Sequence, residues 1–366
     1  MMREAEVIII GAGPAGLGAA IQAAKYGCGS VVLFDENRSC GGQLIKQLHK
    51  FFGSAEHQAG VRGFALGQKL EEEALSLGVR IMTNSVVWGV FRENKLGVFT
   101  GDGKVQQWGF KKLIIATGAM ENALAFPGWT LPGVMGAGAC QTMMNMHRVL
   151  PGKRVLMVGS GNVGLIVTYQ LLQAGAEQVT VIEAAPSIGG YGVHASKITR
   201  AGVPILCSHT IAEAVGPNGY VEKAVVQKLD EQWQPIPGTE TELNVDMICL
   251  SVGLSPLVEL ARLAQCEMAY LPTLGGYVPI HDRNMRTSEP DVYVAGDLAG
   301  VEEASTALDE GRLAGVAVAE ALDYPSADAA KAEKDAIRRR LYNLRSGSYG
   351  DKRQAGKENL MGRMSE

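Results

Sequence analysis

The sequence predicts an α/β protein of two Rossmann-like domains built on parallel sheets, the second inserted in the first. Three observations carry that prediction. Glycine is enriched, with 46 in 366 residues against an ordinary share of about 7%. These glycines gather at the ends of apolar β-like runs, not on a collagen-like period. A unit of strand, Gly-x-Gly-x-x-Gly, helix, strand and acid occurs twice at an offset of 148 residues. Each copy is followed by an apolar run that ends in a turn of small residues.

The first unit begins at Val7-Ile8-Ile9-Ile10, a continuous apolar run that reads as a strand buried on both faces. Gly11-Ala12-Gly13-Pro14-Ala15-Gly16 follows, then a helical stretch from about Leu17 to Lys25, ended by Gly27. Val31 to Phe34 make the next strand, closed by Asp35 and Glu36. In such a unit Gly11 allows the tight turn, Gly13 lets backbone approach a pyrophosphate, and Gly16 lets helix pack on strand. The helix N-terminus offers N–H groups and partial positive charge to phosphate. Asp35 can accept the hydroxyls of an adenosine ribose. The second unit runs Val155 to Val158, Gly159-Ser160-Gly161-Asn162-Val163-Gly164, and Val179 to Ile182 with Glu183. The 148-residue offset pairs Gly11, Gly13, Gly16, Gly27 and Asp35 with Gly159, Gly161, Gly164, Gly175 and Glu183, and persists to Gly41-Gly42 and Gly189-Gly190. One such motif is a weak signal; two in register, each with its acid, point to two dinucleotide sites.

Three later segments complete the pattern. Leu113 to Ala119 is an apolar run ending in Ala116-Thr117-Gly118, and Asp246 to Pro256 repeats that shape around Gly253. Val292-Tyr293-Val294-Ala295-Gly296-Asp297 then delivers a carboxylate to the start of a helix over about Glu303 to Leu322, with Ala304 in its first turn. That chemistry suits a flavin: the carboxylate can bind a ribityl hydroxyl while helix amides face the negative edge of the reduced ring.

The combination resembles the two-dinucleotide-binding-domain flavoproteins, the pyridine nucleotide-disulfide oxidoreductase superfamily, from about Val7 to Leu322. Gly41-Gly42-Gln43-Leu44 is similar to the low-molecular-weight thioredoxin reductase branch. The resemblance implies two FAD/NAD(P)-binding domains, with FAD on Gly11, Gly13, Pro14, Ala15, Gly16, Asp35, Glu36, Gly42, Gln43, Ala116, Thr117, Gly118, Gly296, Asp297 and Ala304. It implies pyridine nucleotide on Gly159, Gly161, Asn162, Val163, Gly164, Glu183 and Gly253. Glu183 favours NAD(H) over NADP(H), because a carboxylate accepts from a ribose 2′-OH and repels a 2′-phosphate, and no Arg lies in 184–190. A second domain that has lost its nucleotide stays open as an alternative.

The sequence also departs from that branch. The region before the second glycine motif reads Gly136-Ala137-Gly138-Ala139-Cys140-Gln141, with one cysteine where thioredoxin reductases carry Cys-x-x-Cys. One thiol cannot make the internal disulfide that passes electrons on, so disulfide reduction is disfavoured and Cys140 reads as a packed small residue. Pro127 to Met135, together with Ala116 to Ala119, resembles the flavin subunits of multimeric sarcosine oxidases, hydroxyproline and opine dehydrogenases and hydrogen cyanide synthase. That resemblance implies a homo-oligomer, or a partner flavoprotein or iron–sulfur subunit, or both. The alternatives are a self-contained NAD(P)H-dependent flavin reductase acting on a small molecule, and a non-catalytic FAD-binding subunit.

Composition sets the remaining bounds. A net charge of −4 and 46% apolar residues give no basic surface for nucleic acid or anionic lipid. The six cysteines are scattered and the histidines show no ligand spacing, so no metal site is expected. The N-terminal apolar run is too short for a membrane span or signal segment, and a cytoplasmic protein is expected. No catalytic acid or base stands out; His49 and Lys50, beyond the Gly-Gly-Gln turn, are weak candidates for proton transfer. The expected divisions are 1–121 and 255–325 for the FAD domain, 122–254 for the NAD(P) domain and 326–366 as a charged C-terminal tail. From Tyr324 to Glu366 the tail carries 10 basic and 6 acidic residues. It reads as a charged helix over about Ala329 to Leu344, then a Gly/Ser/Lys-rich end prone to disorder, and a partner-docking role stays open.

Overall fold

Residues 2–51, 54–347 and 350–365 are described by a computed structural model. The chain divides into two compact units, Met1–Met120 with Ser255–Glu366, and Glu121–Leu254.

The first unit opens with β1 (Arg3–Ile10), α1 (Pro14–Lys25) and β2 (Val31–Phe34). Val7, Ile8 and Ile9 are fully buried, as a central strand covered on both faces requires. Helix α2 (Gly63–Ser76) leads to β3 (Arg80–Met82), and an antiparallel meander of β4 (Ser85–Phe91), β5 (Lys95–Thr100) and β6 (Val105–Ile115) follows. Strand β6 is longer than the apolar run at its end, because its first half pairs with β5 and its second half lies parallel to β1. The parallel order is β3-β2-β1-β6.

The second unit contains β7 (Val134–Gly136), β8 (Arg154–Val158), α3 (Asn162–Ala174), β9 (Gln178–Glu183) and β10 (Ile205–Cys207). An antiparallel sheet of β11 (His209–Val215), β12 (Lys223–Lys228) and β13 (Thr241–Asn244) precedes β14 (Met247–Leu250). The parallel order is β10-β9-β8-β14-β7. Both units thus share one plan: the glycine turn leaves the central strand, and an antiparallel excursion separates the third strand from the fourth.

The chain returns to the first unit with β15 (Val292–Val294), parallel to β6. Helix α4 (Ala304–Ala321) follows, then α5 (Ala327–Leu344) and α6 (Asp351–Gly362). Helix α4 crosses α1 backbone to backbone. A Cβ on Gly311 would lie 1.9 Å from Ala15 O, and one on Gly315 would lie 2.4 Å from Ala19 O.

The C-terminal segment departs from the solvated tail the sequence suggests. Ala330, Ile337, Leu341 and Leu360 are buried, and 326–366 cluster with the first unit. The charged composition misleads because Lys334, Arg345 and Lys357 are themselves buried, paired with acids of α4 or the segment before it. Among the described residues no helix is long and apolar enough to cross a membrane.

Candidate functional site

The two glycine turns fold alike. Gly11 has φ +102° and Gly159 φ +105°, the left-handed region that glycine enters without strain. Space is equally restrictive: a Cβ on Gly11 would lie 2.3 Å from Ala116 O, and one on Gly159 2.2 Å from Ser251 O. A Cβ on Gly16 would lie 1.7 Å from Gly11 O, and one on Gly164 2.3 Å from Gly159 O. The middle glycines differ in kind. A Cβ on Gly13 would meet only Gly42 Cα, 4.0 Å away, and one on Gly161 would meet nothing within 4 Å. Those two positions face open space, which a phosphate approaching the backbone needs and a side chain would fill. Helix α1 starts at Pro14, whose missing N–H costs nothing in the first turn. Helix α3 starts at Asn162, whose Oδ1 accepts from Tyr191 N at 2.8 Å, and Val163 beside it is exposed.

The acids hold these turns in register. Asp35 Oδ2 accepts from Ala12 N at 2.6 Å, and Oδ1 from Asn37 N at 2.7 Å. Glu183 Oε2 accepts from Ser160 N at 2.8 Å, and Oε1 from Ala185 N at 3.0 Å. All three positions in each clamp are 148 residues apart in sequence. Each carboxylate therefore braces its glycine turn at the edge where an adenosine ribose would lie. Unlike Ala12, Ser160 adds a hydroxyl that donates to Glu183 Oε2 at 2.6 Å and accepts from Gly189 N at 3.0 Å. The sequence pattern does not reveal that link, although Ser160 stands inside the motif.

Around the first turn, Gly41 N donates to Ala12 O at 2.7 Å, which brings the Gly41-Gly42 turn over Gly13. Gln43 and Glu36 are exposed nearby in the sequence. Thr117 Oγ1 donates to Leu257 O at 2.9 Å, and Gly118 O accepts from Leu257 N at 3.0 Å. In the second unit Gly253 O accepts from Asn122 N at 3.0 Å.

Asp297 lies in the turn Gly296–Ala299, and Ala304 begins α4. Its Oδ1 accepts one long bond, from Glu302 N at 3.3 Å. Burial, with Glu310, Glu302 and Glu303 adding, pushes the Asp297 carboxyl from an ordinary 3.8 up to about 6. The folded protein thus retains a proton that the unfolded chain releases across that window, so stability falls as pH rises from about 4 to about 6. Asp297→Asn is expected to raise the melting temperature of the flavin-free protein above pH 6 by roughly 2–4 °C. Below pH 4 the two should melt together; thermal denaturation at pH 4 and pH 8 measures this.

The weak proton-transfer candidates gain little. Lys50 is exposed, and its backbone bridges to Arg62; His49 is half-buried, its ring 6.1 Å from that of Phe51. All six cysteines are free thiols. Cys140 does have a neighbour that its sequence context hides: it lies within hydrogen-bonding reach of Cys249 on β14, both fully buried. The Cys140 thiol and burial hold Cys249 well above the ordinary thiol range, so it stays protonated and is no nucleophile. Among the described residues no group of three His, Cys, Asp or Glu could hold a metal ion.

The profile of the pyridine nucleotide-disulphide oxidoreductase family matches residues 5–311, both glycine turns and Asp297 included. The chain belongs to this family. It is accordingly an oxidoreductase of the kind that binds FAD and a pyridine nucleotide. Similar proteins include an opine oxidase subunit of Agrobacterium tumefaciens (strain Ach5), 28% identical over 333 residues. That alignment covers 85% of this chain and 65% of the relative, so the chain spans less than two thirds of that relative's length. A hydrogen cyanide synthase subunit of Pseudomonas aeruginosa is 27% identical over 85% of this chain and 70% of its own. Among solved structures, T. acidophilum thioredoxin reductase superposes with a TM-score of 0.72 at 22% identity, covering 88% of this oxidoreductase and 99% of that chain. That likeness establishes the fold.

Proposed function

We propose that the first unit holds FAD, the second holds NAD(H), and electrons pass between this flavin and a partner redox subunit. FAD would lie on the Gly11–Gly16 turn, Asp35, Gly42, Gln43, Ala116 to Gly118, Gly296, Asp297 and the start of α4 at Ala304. NAD(H) would lie on Gly159, Gly161, Asn162, Val163, Gly164, Glu183 and Gly253. The observation that carries this reading is the duplicated clamp. An acid braces each glycine turn through the same two backbone donors, and each middle glycine faces open space. Both sites keep the features a dinucleotide needs, which argues against a degenerate second domain. Bound flavin and nicotinamide supply the hydride chemistry; the protein contributes positioning and electrostatics.

The partner rests on relatives that are named as subunits, in an opine oxidase and a hydrogen cyanide synthase. An amine or amino-acid dehydrogenase-type complex is the assembly these names suggest. Burial of both Cys140 and Cys249, with the Cys249 thiol held protonated, favours an acceptor other than an exchangeable disulfide.

Anaerobic stopped-flow absorbance tests the nucleotide assignment. FAD-loaded protein mixed with NADH should lose its oxidised-flavin band quickly, and NADPH should act far more slowly. Glu183→Ala should narrow that preference about tenfold, about 1.4 kcal/mol, by removing the charge that repels a 2′-phosphate. No reduction by either nucleotide would defeat the NAD(H) assignment for this chain and leave reduction of the flavin to a partner protein.

A further inference from the structure

We infer that the C-terminal helices form an intrachain clamp on the flavin loop, with Glu310 as its positioning residue and Arg345 and Lys357 as the cations that hold it. The inference rests on the reading that the turn after β15 binds FAD. Glu310, on α4, is buried with its side chain 2% exposed, and its Oε2 accepts from Gly296 N at 3.0 Å. It therefore fixes the residue immediately before Asp297. Its other oxygen accepts from Lys357 Nζ at 2.6 Å and from the Arg345 guanidinium.

The same cations also touch the loop directly. Lys357 Nζ donates to Ala299 O at 2.9 Å, and a Cβ on Gly300 would lie 3.3 Å from Lys357 Cε. Arg345 Nε donates to both oxygens of Glu302, at 2.9 and 3.0 Å, and Glu302 N is the donor to Asp297. The circuit runs from Gly296 through Glu310, Lys357 and Ala299, and from Asp297 through Glu302 and Arg345. The side chains of Glu302, Glu310, Arg345 and Lys357 are 8% exposed or less. Burial alone would neutralise Glu310, but Lys357 and Arg345 outweigh it and hold the carboxyl well below its ordinary range. Both acids lie within 5–311, the span shared with the family, and both cations lie beyond it. This chain thus supplies from its own C-terminal segment the charges that the loop acid Glu302 and the helix acid Glu310 need.

Removing one cation should leave a buried carboxylate without its full compensation, and the loop should relax to rehydrate it. The test uses the full-length chain, measuring FAD affinity of the apoprotein, the midpoint potential of the bound flavin, and calorimetric NAD+ binding as a control on the second unit. Lys357→Met should weaken FAD binding at least tenfold, while NAD+ affinity stays within twofold. The potential of the remaining bound flavin should shift negative, because a buried cation that favours reduced flavin is gone. Lys357→Arg should restore most of both effects. The double variant Glu310→Gln with Lys357→Met should bind FAD better than Lys357→Met alone, since it leaves no uncompensated charge.

Unchanged affinity and potential in Lys357→Met would overturn the clamp. Loss of NAD+ binding together with FAD would mark general unfolding and overturn a local role. Failure of the unmutated chain to take up FAD would instead overturn the assignment of the loop itself, which separates the two failures.

Discussion

Gly16→Val should strip the flavin from the protein, and Gly164→Val should leave the flavin bound while abolishing its reduction by NADH. The two glycines are equivalent under the 148-residue repeat, so the pair separates the roles of the two turns. In each, any β-carbon meets the carbonyl oxygen of the first glycine of its own turn, at 1.7 Å from Gly11 O or 2.3 Å from Gly159 O. No side-chain rotation relieves a clash with backbone, so the turn must open and the helix must withdraw from its strand. The phosphate site, made of the turn amides and the first helical turn, goes with it. Absorbance of the purified variants reads FAD occupancy, and anaerobic mixing with NADH reads the second site. A fully reducible Gly164→Val would remove the nucleotide from the second turn. A yellow, FAD-saturated Gly16→Val would remove the flavin from the first.

The second large effect concerns stability. Gly311→Val should lower the melting temperature sharply and release flavin on heating well before the unmutated chain does. A β-carbon there falls 1.9 Å from Ala15 O and 2.8 Å from Ala15 Cα, so α4 and α1 cannot keep their separation. Overpacking a core costs about 1–3 kcal/mol and more where backbone is the obstacle. Ala15 lies in the first turn of α1, beside the glycine turn, so the displaced helix carries that turn with it. A control at Gly192, exposed, where a β-carbon meets nothing within 4 Å and the backbone is not left-handed, should change the melting temperature little. Equal melting of Gly311→Val and the unmutated protein would contradict the close crossing.

Much of the architecture is readable in the sequence because its signals are local. Turn, helix, strand and acid occupy 25 residues from Gly11 to Asp35, and glycine is demanded by backbone geometry inside that window. The same window, found again from Gly159 to Glu183, is enough to infer a duplicated fold. Two local features stay hidden. Ser160 looks like a filler between glycines, because its hydroxyl works through Glu183 and Gly189, residues 23 and 29 positions away. Cys140 looks solitary because its neighbour Cys249 comes from a strand more than a hundred residues later.

The C-terminal segment shows the opposite case. Ten basic and six acidic residues from Tyr324 onward suggest a solvated tail, and composition alone has no means of saying otherwise. Whether Lys357 is hydrated or buried depends on where Glu310 and Ala299 stand, 47 and 58 residues earlier. The sequence by itself determined the two nucleotide-binding units and the acids that close them, since each is a short-range pattern fixed by backbone sterics. Only the tertiary structure decided that the last helices belong to the first unit and brace its loop. Burial of a charge is stable only beside its partner, and the partner's place is a property of the fold.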